Sequence, residues 1–188
     1  MLVPRVFAFW EGSEMPLYPF ENTSPTVAHN VFIAPTAAVI GDVTISEGVS
    51  IWYNCVLRGD TNRILVGPRS NVQDGTIVHV ARGTLPALIG ADVTIGHACI
   101  IHACTLKDGA FVGMGGTVLD GAVIEEGGML GAGGLLPPGK RIGPNELWLG
   151  SPARLARVMT AEEREKWDKT TEHYTELGRR HARSLASG

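Results

Sequence analysis

The sequence is short of aromatics, of cysteine, of excess charge and of long apolar runs. Phe, Trp and Tyr make up 6% of the 188 residues. That scarcity, with abundant β-branched residues, argues against a helical bundle and for many short strands. The three cysteines, Cys55, Cys99 and Cys104, are an odd number with no secretory leader beside them. A disulfide framework is therefore not expected, and Cys55 and Cys99 read as small interior filler. Sixteen Lys and Arg against nineteen Asp and Glu leave a formal net charge of -3, with no basic stripe, so no nucleic acid partner is expected. No run of 18 apolar residues occurs, and the opening MLVPRVFAFWEGSEM is broken by Pro4 and Arg5 and then turns acidic. It makes a poor signal peptide, so the expectation is a cytoplasmic chain with no membrane partner.

Glycine is plentiful, at 24 residues, and it falls in a pattern. From Ile33 an aliphatic residue recurs every six positions, through Val39, Ile45, Ile51 and Leu57. A small or branched residue sits four along from each: Ala37, Val43, Val49 and Cys55. The frame slips at RGDTNR, resumes at Val66, Val72 and Val78, and slips again through ARGTLPAL. It resumes at Ile89, Ile95 and Ile101, loses one residue, and continues in step from Leu106 to Ile142. A period of six belongs neither to an α-helix nor to an alternating strand. It is the hexapeptide pattern of a parallel β-helix, three hexads to a triangular coil. The chain is predicted to be all-β and a single domain over 1–188. Residues 1–26 form a cap segment, 27–150 form a prism of about seven coils, roughly 33 Å long at ~4.8 Å per coil, and 151–188 form a turn and a C-terminal α-helix. Thr160 and Glu163 read as a capping box. Trp167, Tyr174 and Leu177 mark the stripe by which the helix lies back on the prism. The glycines of VGMGG follow the hexad period and are not a phosphate loop.

Polar residues interrupt this pattern in register. His79 follows the inward Val78 and His102 follows the inward Ile101. Their separation of 23 is one coil of 18 plus five residues in the ARGTLPAL bulge. If the bulge loops out, the two histidines stack about 5 Å apart at their backbones and can share a metal ion. His97 lies on the preceding face, where it reaches an ion only on a neighbouring chain, and a three-sided prism makes a trimer natural. Three imidazoles with an open position suit catalytic zinc. Arg58 and Gln73 share the hexad position of the two stacked histidines, with Asp60 and Asp74 close by. Trp52 and Tyr53 pack either at an interface or against the helix. His29, His173 and His181 stand alone and read as structural or exposed.

The motifs R-G-D at Arg58-Gly59-Asp60, Q-D at Gln73-Asp74, the histidine at His79, and G-H-x4-H at His97 and His102 resemble the γ-class carbonic anhydrase family over most of the chain. The resemblance implies a left-handed β-helix and a homotrimer with one ion per interface: Zn2+, or Fe2+ or Co2+. His79 and His102 come from one chain and His97 from the next. It implies Gln73 beside the reactive water, and Arg58, Asp60 and Asp74 in interface ion pairs. It also implies that Tyr174 lies near the metal, and that the reaction is reversible hydration of carbon dioxide to bicarbonate. The family's founding archaeal enzyme has a glutamate where Thr61 stands. It also has an acidic proton-shuttle loop where this chain has Val80 to Pro86. Three alternatives are a metal-dependent acyl-CoA thioesterase, a hexapeptide acyltransferase, and a metal-binding trimer of low activity.

Overall fold

The computed structural model describes residues 15–187. They form a parallel β-solenoid of about seven turns and one C-terminal helix. Most strands are two or three residues long, because each coil turns a corner after every strand. On one face, Phe32–Ile33, Ser50–Ile51, Asn71–Val72, Thr94–Ile95, Phe111–Val112 and Met129–Leu130 stack in parallel register. On the next face, Ile77–His79, Ile100–His102, Thr117–Val118 and Leu135–Leu136 do the same. The six-residue aliphatics point inward as expected: Val39, Ile51, Leu57, Val72, Val78, Ile95, Ile101, Val112, Leu130 and Ile142 are fully buried in one continuous column. Cys55, Cys99 and Cys104 are free and buried within it.

The first frame slip takes a different form from a break. Ala38–Ile45 and Val56–Val66 are long strands that pair side by side through the corner, with one register shift between Gly41 and Val43. Two glycines make this possible. A Cβ on Gly59 would stand 2.4 Å from the Asp42 carbonyl oxygen, and one on Gly41 (φ +74) would stand 2.4 Å from that of Gly59. Alternation along the strand then sends Arg58 and Asp60 outward together. The second slip behaves as expected. Val80 still fills the column; residues 81–85 leave the coil, an Ala81–Leu85 bridge closes the loop, and Ala87–Ile89 rejoins the stack.

Part of the cap segment, residues 1–14, lies outside the described residues. The rest contributes strands: Leu17–Tyr18 pairs with Val39–Ile40, and Thr26–Val27 with Thr44–Ile45. The far end also departs from the expectation of a simple turn after residue 150. Glu146–Gly150 folds back on Ala153–Val158 as an antiparallel hairpin. The helix follows over Ala161–Ala186, and the Thr160–Glu163 capping box is present in both directions.

The helix returns along the first face. Trp167 meets Phe111 (ring centroids 5.1 Å apart), and the Arg164 guanidinium donates to the Gly109 and Gly127 carbonyls. Tyr174 meets Trp52 edge-on at 5.4 Å, and Gly178 lets the helix close onto Phe32 and Ser50. His181 packs on Trp52 and shares a 3.1 Å hydrogen bond with the Tyr53 hydroxyl. Trp52 and Tyr53 therefore belong to the helix contact, and of the two readings left open for His181, structural or exposed, the structural one holds.

Candidate metal centre

Ile40, Arg58, His79 and His102 are successive partners in parallel register, so three polar side chains stack along one prism edge. His79 Nδ1 faces His102 Nε2 at 3.2 Å. Each ring places its other nitrogen on a carboxylate. His79 Nε2 lies 3.0 Å from Asp60 Oδ1, and His102 Nδ1 lies 2.5 Å from Asp120 Oδ1. Arg58 donates to the second oxygen of Asp60. Partial burial pushes the Asp60 carboxyl up. The hydrogen bonds from His79 and Arg58 outweigh it and hold the group below the usual carboxylate range.

If both neutral rings give their protons to these carboxylates, the two facing nitrogens carry lone pairs. Lone pairs 3.2 Å apart repel unless a cation lies between them. The separation also suits the edge of a tetrahedron with metal–nitrogen bonds of about 2.0–2.1 Å, roughly 3.3–3.4 Å.

His97 and Asp74 form a second group. His97 Nδ1 lies 3.0 Å from Asp74 Oδ2, and the Ala98 N–H donates to the Asp74 carbonyl one coil away. Gln73 belongs here too. It is buried, and its amide donates to Asn71 Oδ1 at 3.0 Å, while the Asn71 amide donates to Thr94 Oγ1 at 2.9 Å. Gln73 has the hexad position of His79 and His102 but stands on a different face, so one chain does not bring them together. Tyr174 approaches this second group from the helix. Burial, and then the negative charge of Asp74, push its phenol above the ordinary value.

One strand, Ile100–His102, and the corner turn at Ala98 (φ 56) lie between His97 and His102. Among the described residues, no group of three or more His, Cys, Asp or Glu from one chain is arranged to hold a metal. The two groups thus flank one flat face. Its outward side chains between them are apolar: Ile77 is 47% exposed, Ile100 45%, and Met114 at the corner 59%.

Asp120 is the site residue that reading the sequence missed. It stands in the turn Leu119-Asp120-Gly121, where an aspartate before glycine is explained by turn chemistry alone. Its signal was its place in the stack: the coil after His102 has 17 residues, which sets Leu119 over His102 and Asp120 one position further on. Cysteine chemistry is not available: burial pushes Cys55 and Cys104 up to about 12 and Cys99 to about 11, so all three stay thiols at neutral pH.

Known proteins share this architecture and sequence. The chain is 50% identical over 166 residues to the mitochondrial γ carbonic anhydrase 2 of Arabidopsis thaliana, a match covering 86% of this chain and 60% of the relative. It is 40% identical over 162 residues to the carbonic anhydrase of Geobacillus kaustophilus, covering 86% of this chain and 88% of that one. The chain belongs to the γ-class carbonic anhydrase family. It spans about 60% of the length of the Arabidopsis γ carbonic anhydrase 2. A crystal structure of a hexapeptide transferase family protein from Anaplasma phagocytophilum aligns with a TM-score of 0.84 at 50% identity, covering 88% of this chain and 97% of that chain. No family model matches the chain. No helix among the described residues is long and apolar enough to cross a membrane.

Proposed function

We propose that this γ-class chain forms a homotrimer. A divalent ion, Zn2+ or alternatively Fe2+ or Co2+, sits between His79 and His102 of one subunit and a His97 of the next. There the protein reversibly hydrates carbon dioxide to bicarbonate. One observation carries the reading: all three imidazoles have one nitrogen on a carboxylate and the other directed away from it. That is how a metal-ligating histidine is held in a fixed tautomer. The apolar strip of Ile77, Ile100 and Met114 between the two half-sites supports closure of one chain on the next, because a cyclic trimer would bury it and bring opposite edges together.

When bound, the dication would supply strong acidification of a water, so that hydroxide would be available at neutral pH. The chain's residues prepare the place for it. Asp60, itself held by Arg58, fixes His79, and Asp74 fixes His97. Gln73 is pinned by Asn71 through its amide nitrogen, which leaves its amide oxygen to orient a water hydrogen. Tyr174 stands on the Asp74 side, where burial and the Asp74 charge shift its phenol upward and favour the protonated form. Thr61 and the loop from Val80 to Pro86 bring no carboxylate to the pocket, so proton release falls to groups outside them.

The test couples elemental analysis to stopped-flow hydration of carbon dioxide. Purified protein is expected to hold about one Zn, Fe or Co per chain. Stripping the ion with a chelator should abolish hydration, and adding it back should restore the rate. Absence of all three metals even after soaking, or hydration indifferent to chelation, would overturn the proposal. Metal-independent acyl transfer from an acyl-CoA would point to the transferase reading instead.

A further inference from the structure

We propose that Asp120 is a positioning residue for His102. By accepting from Nδ1 it keeps the ring in the tautomer whose Nε2 is unprotonated and turned toward His79. This rests on the metal-centre reading above, but the tautomer itself is a property of the metal-free chain.

The geometry has three parts. The Asp120 Oδ1 to His102 Nδ1 distance of 2.5 Å is the shortest of the carboxylate contacts made by His79, His97 and His102, against 3.0 Å for each of the other two. Second, the backbone carrying Asp120 is tied on both sides. The Leu119 N–H donates to Leu136, the Gly121 N–H donates to Ala103, and the Asp120 carbonyl accepts from the Gly139 N–H. A carboxylate on so fixed a turn can hold a ring in place. Third, the braces act from opposite coils. Asp60 precedes His79 in the stack and Asp120 follows His102, so the two carboxylates take the outer nitrogens and leave the inner pair face to face. Without Asp120 the ring of His102, about one-third exposed, is free to rotate and to place its proton on Nε2, where it would block the lone pair a metal needs.

The experiment uses full-length protein with 15N-labelled histidine. Nitrogen NMR of the metal-free protein reads the tautomer of His102, and competition titration reads the Zn2+ dissociation constant. Wild type should carry the His102 proton on Nδ1. Asp120→Ala should shift it toward Nε2 and raise the Zn2+ dissociation constant about 10–100-fold. Asp120→Asn, whose amide oxygen still accepts from Nδ1, should restore the tautomer and recover most of the affinity. A wild-type His102 protonated on Nε2 would overturn the proposal without recourse to any variant. So would Asp120→Ala if it left tautomer and affinity unchanged, or if it weakened affinity with the tautomer intact, since that would be a charge effect alone. If wild type took up no Zn2+ and the tautomer still followed Asp120, the metal reading would fall and the positioning role would stand.

Discussion

Replacing His102 with alanine is expected to abolish hydration and to weaken metal binding on the order of 10³-fold, the share of one ligand among three or four in a site worth 10–16 kcal/mol. The same change should leave the fold intact. Ile101, beside it, fills the column, whereas His102 points outward and is about one-third exposed. The losses to stability are one contact with His79 and one with Asp120, and the latter is 44% exposed. Contacts of that kind contribute about 0–1 kcal/mol each. Metal titration, stopped-flow hydration and a thermal melt on the same preparation would separate the effects. A variant that lost its melting transition would show the histidine to be a structural residue.

Val112→Asp should do the reverse, destroying the fold and the site with it. Val112 is fully buried, stacked between Ile95 and Leu130 in the interior column. A carboxylate there has no partner, and its effective desolvation cost is several kcal/mol. A domain's whole stability is only about 5–15 kcal/mol. In a solenoid each coil is supported only by its neighbours, so a failed coil separates those on either side. The melting temperature should fall by about 10–20 °C, or the cooperative transition should vanish. A melt within a few degrees of wild type would mean that the column is not the main source of stability.

Much of this was legible in the sequence, for a physical reason. A prism interior admits one aliphatic per hexad, so periodicity alone identified Ile51, Ile95 and Ile142 as core. The capping box at Thr160 and Glu163 is a local signal and was equally plain. The pairing of His79 with His102 could be counted out because the five extra residues leave the coil as a loop without shifting the ladder.

Other features were hidden. Hexad position says whether a side chain points in or out, but not which of three faces it occupies. Gln73 therefore looked like a companion of His79, although it lies with His97. The continuous strand Val56–Val66 was concealed because its corner depends on the close approach of Gly41 and Gly59, two glycines from different coils. The hairpin of Ala153–Val158 was hidden by Gly150-Ser151-Pro152, which reads as the end of a β segment and not as its reversal. Asp120 was masked by a turn that explains it without a ligand, and His181 by the absence of any sequence signal linking it to Tyr53.

The central claim is that no subunit holds a complete metal centre, and co-assembly of two inactive variants tests it most directly. His97→Ala lacks the ligand given to a neighbour, and His102→Ala lacks one kept at home. Each alone should be inactive. Co-expressed in equal amounts and assembled at random, about one quarter of the interfaces combine an intact His97 with an intact His79–His102 pair. The mixture should then regain about a quarter of wild-type metal content and hydration rate. No recovery in mixed assemblies that are demonstrably formed would contradict the account, because it would place all three ligands in one chain.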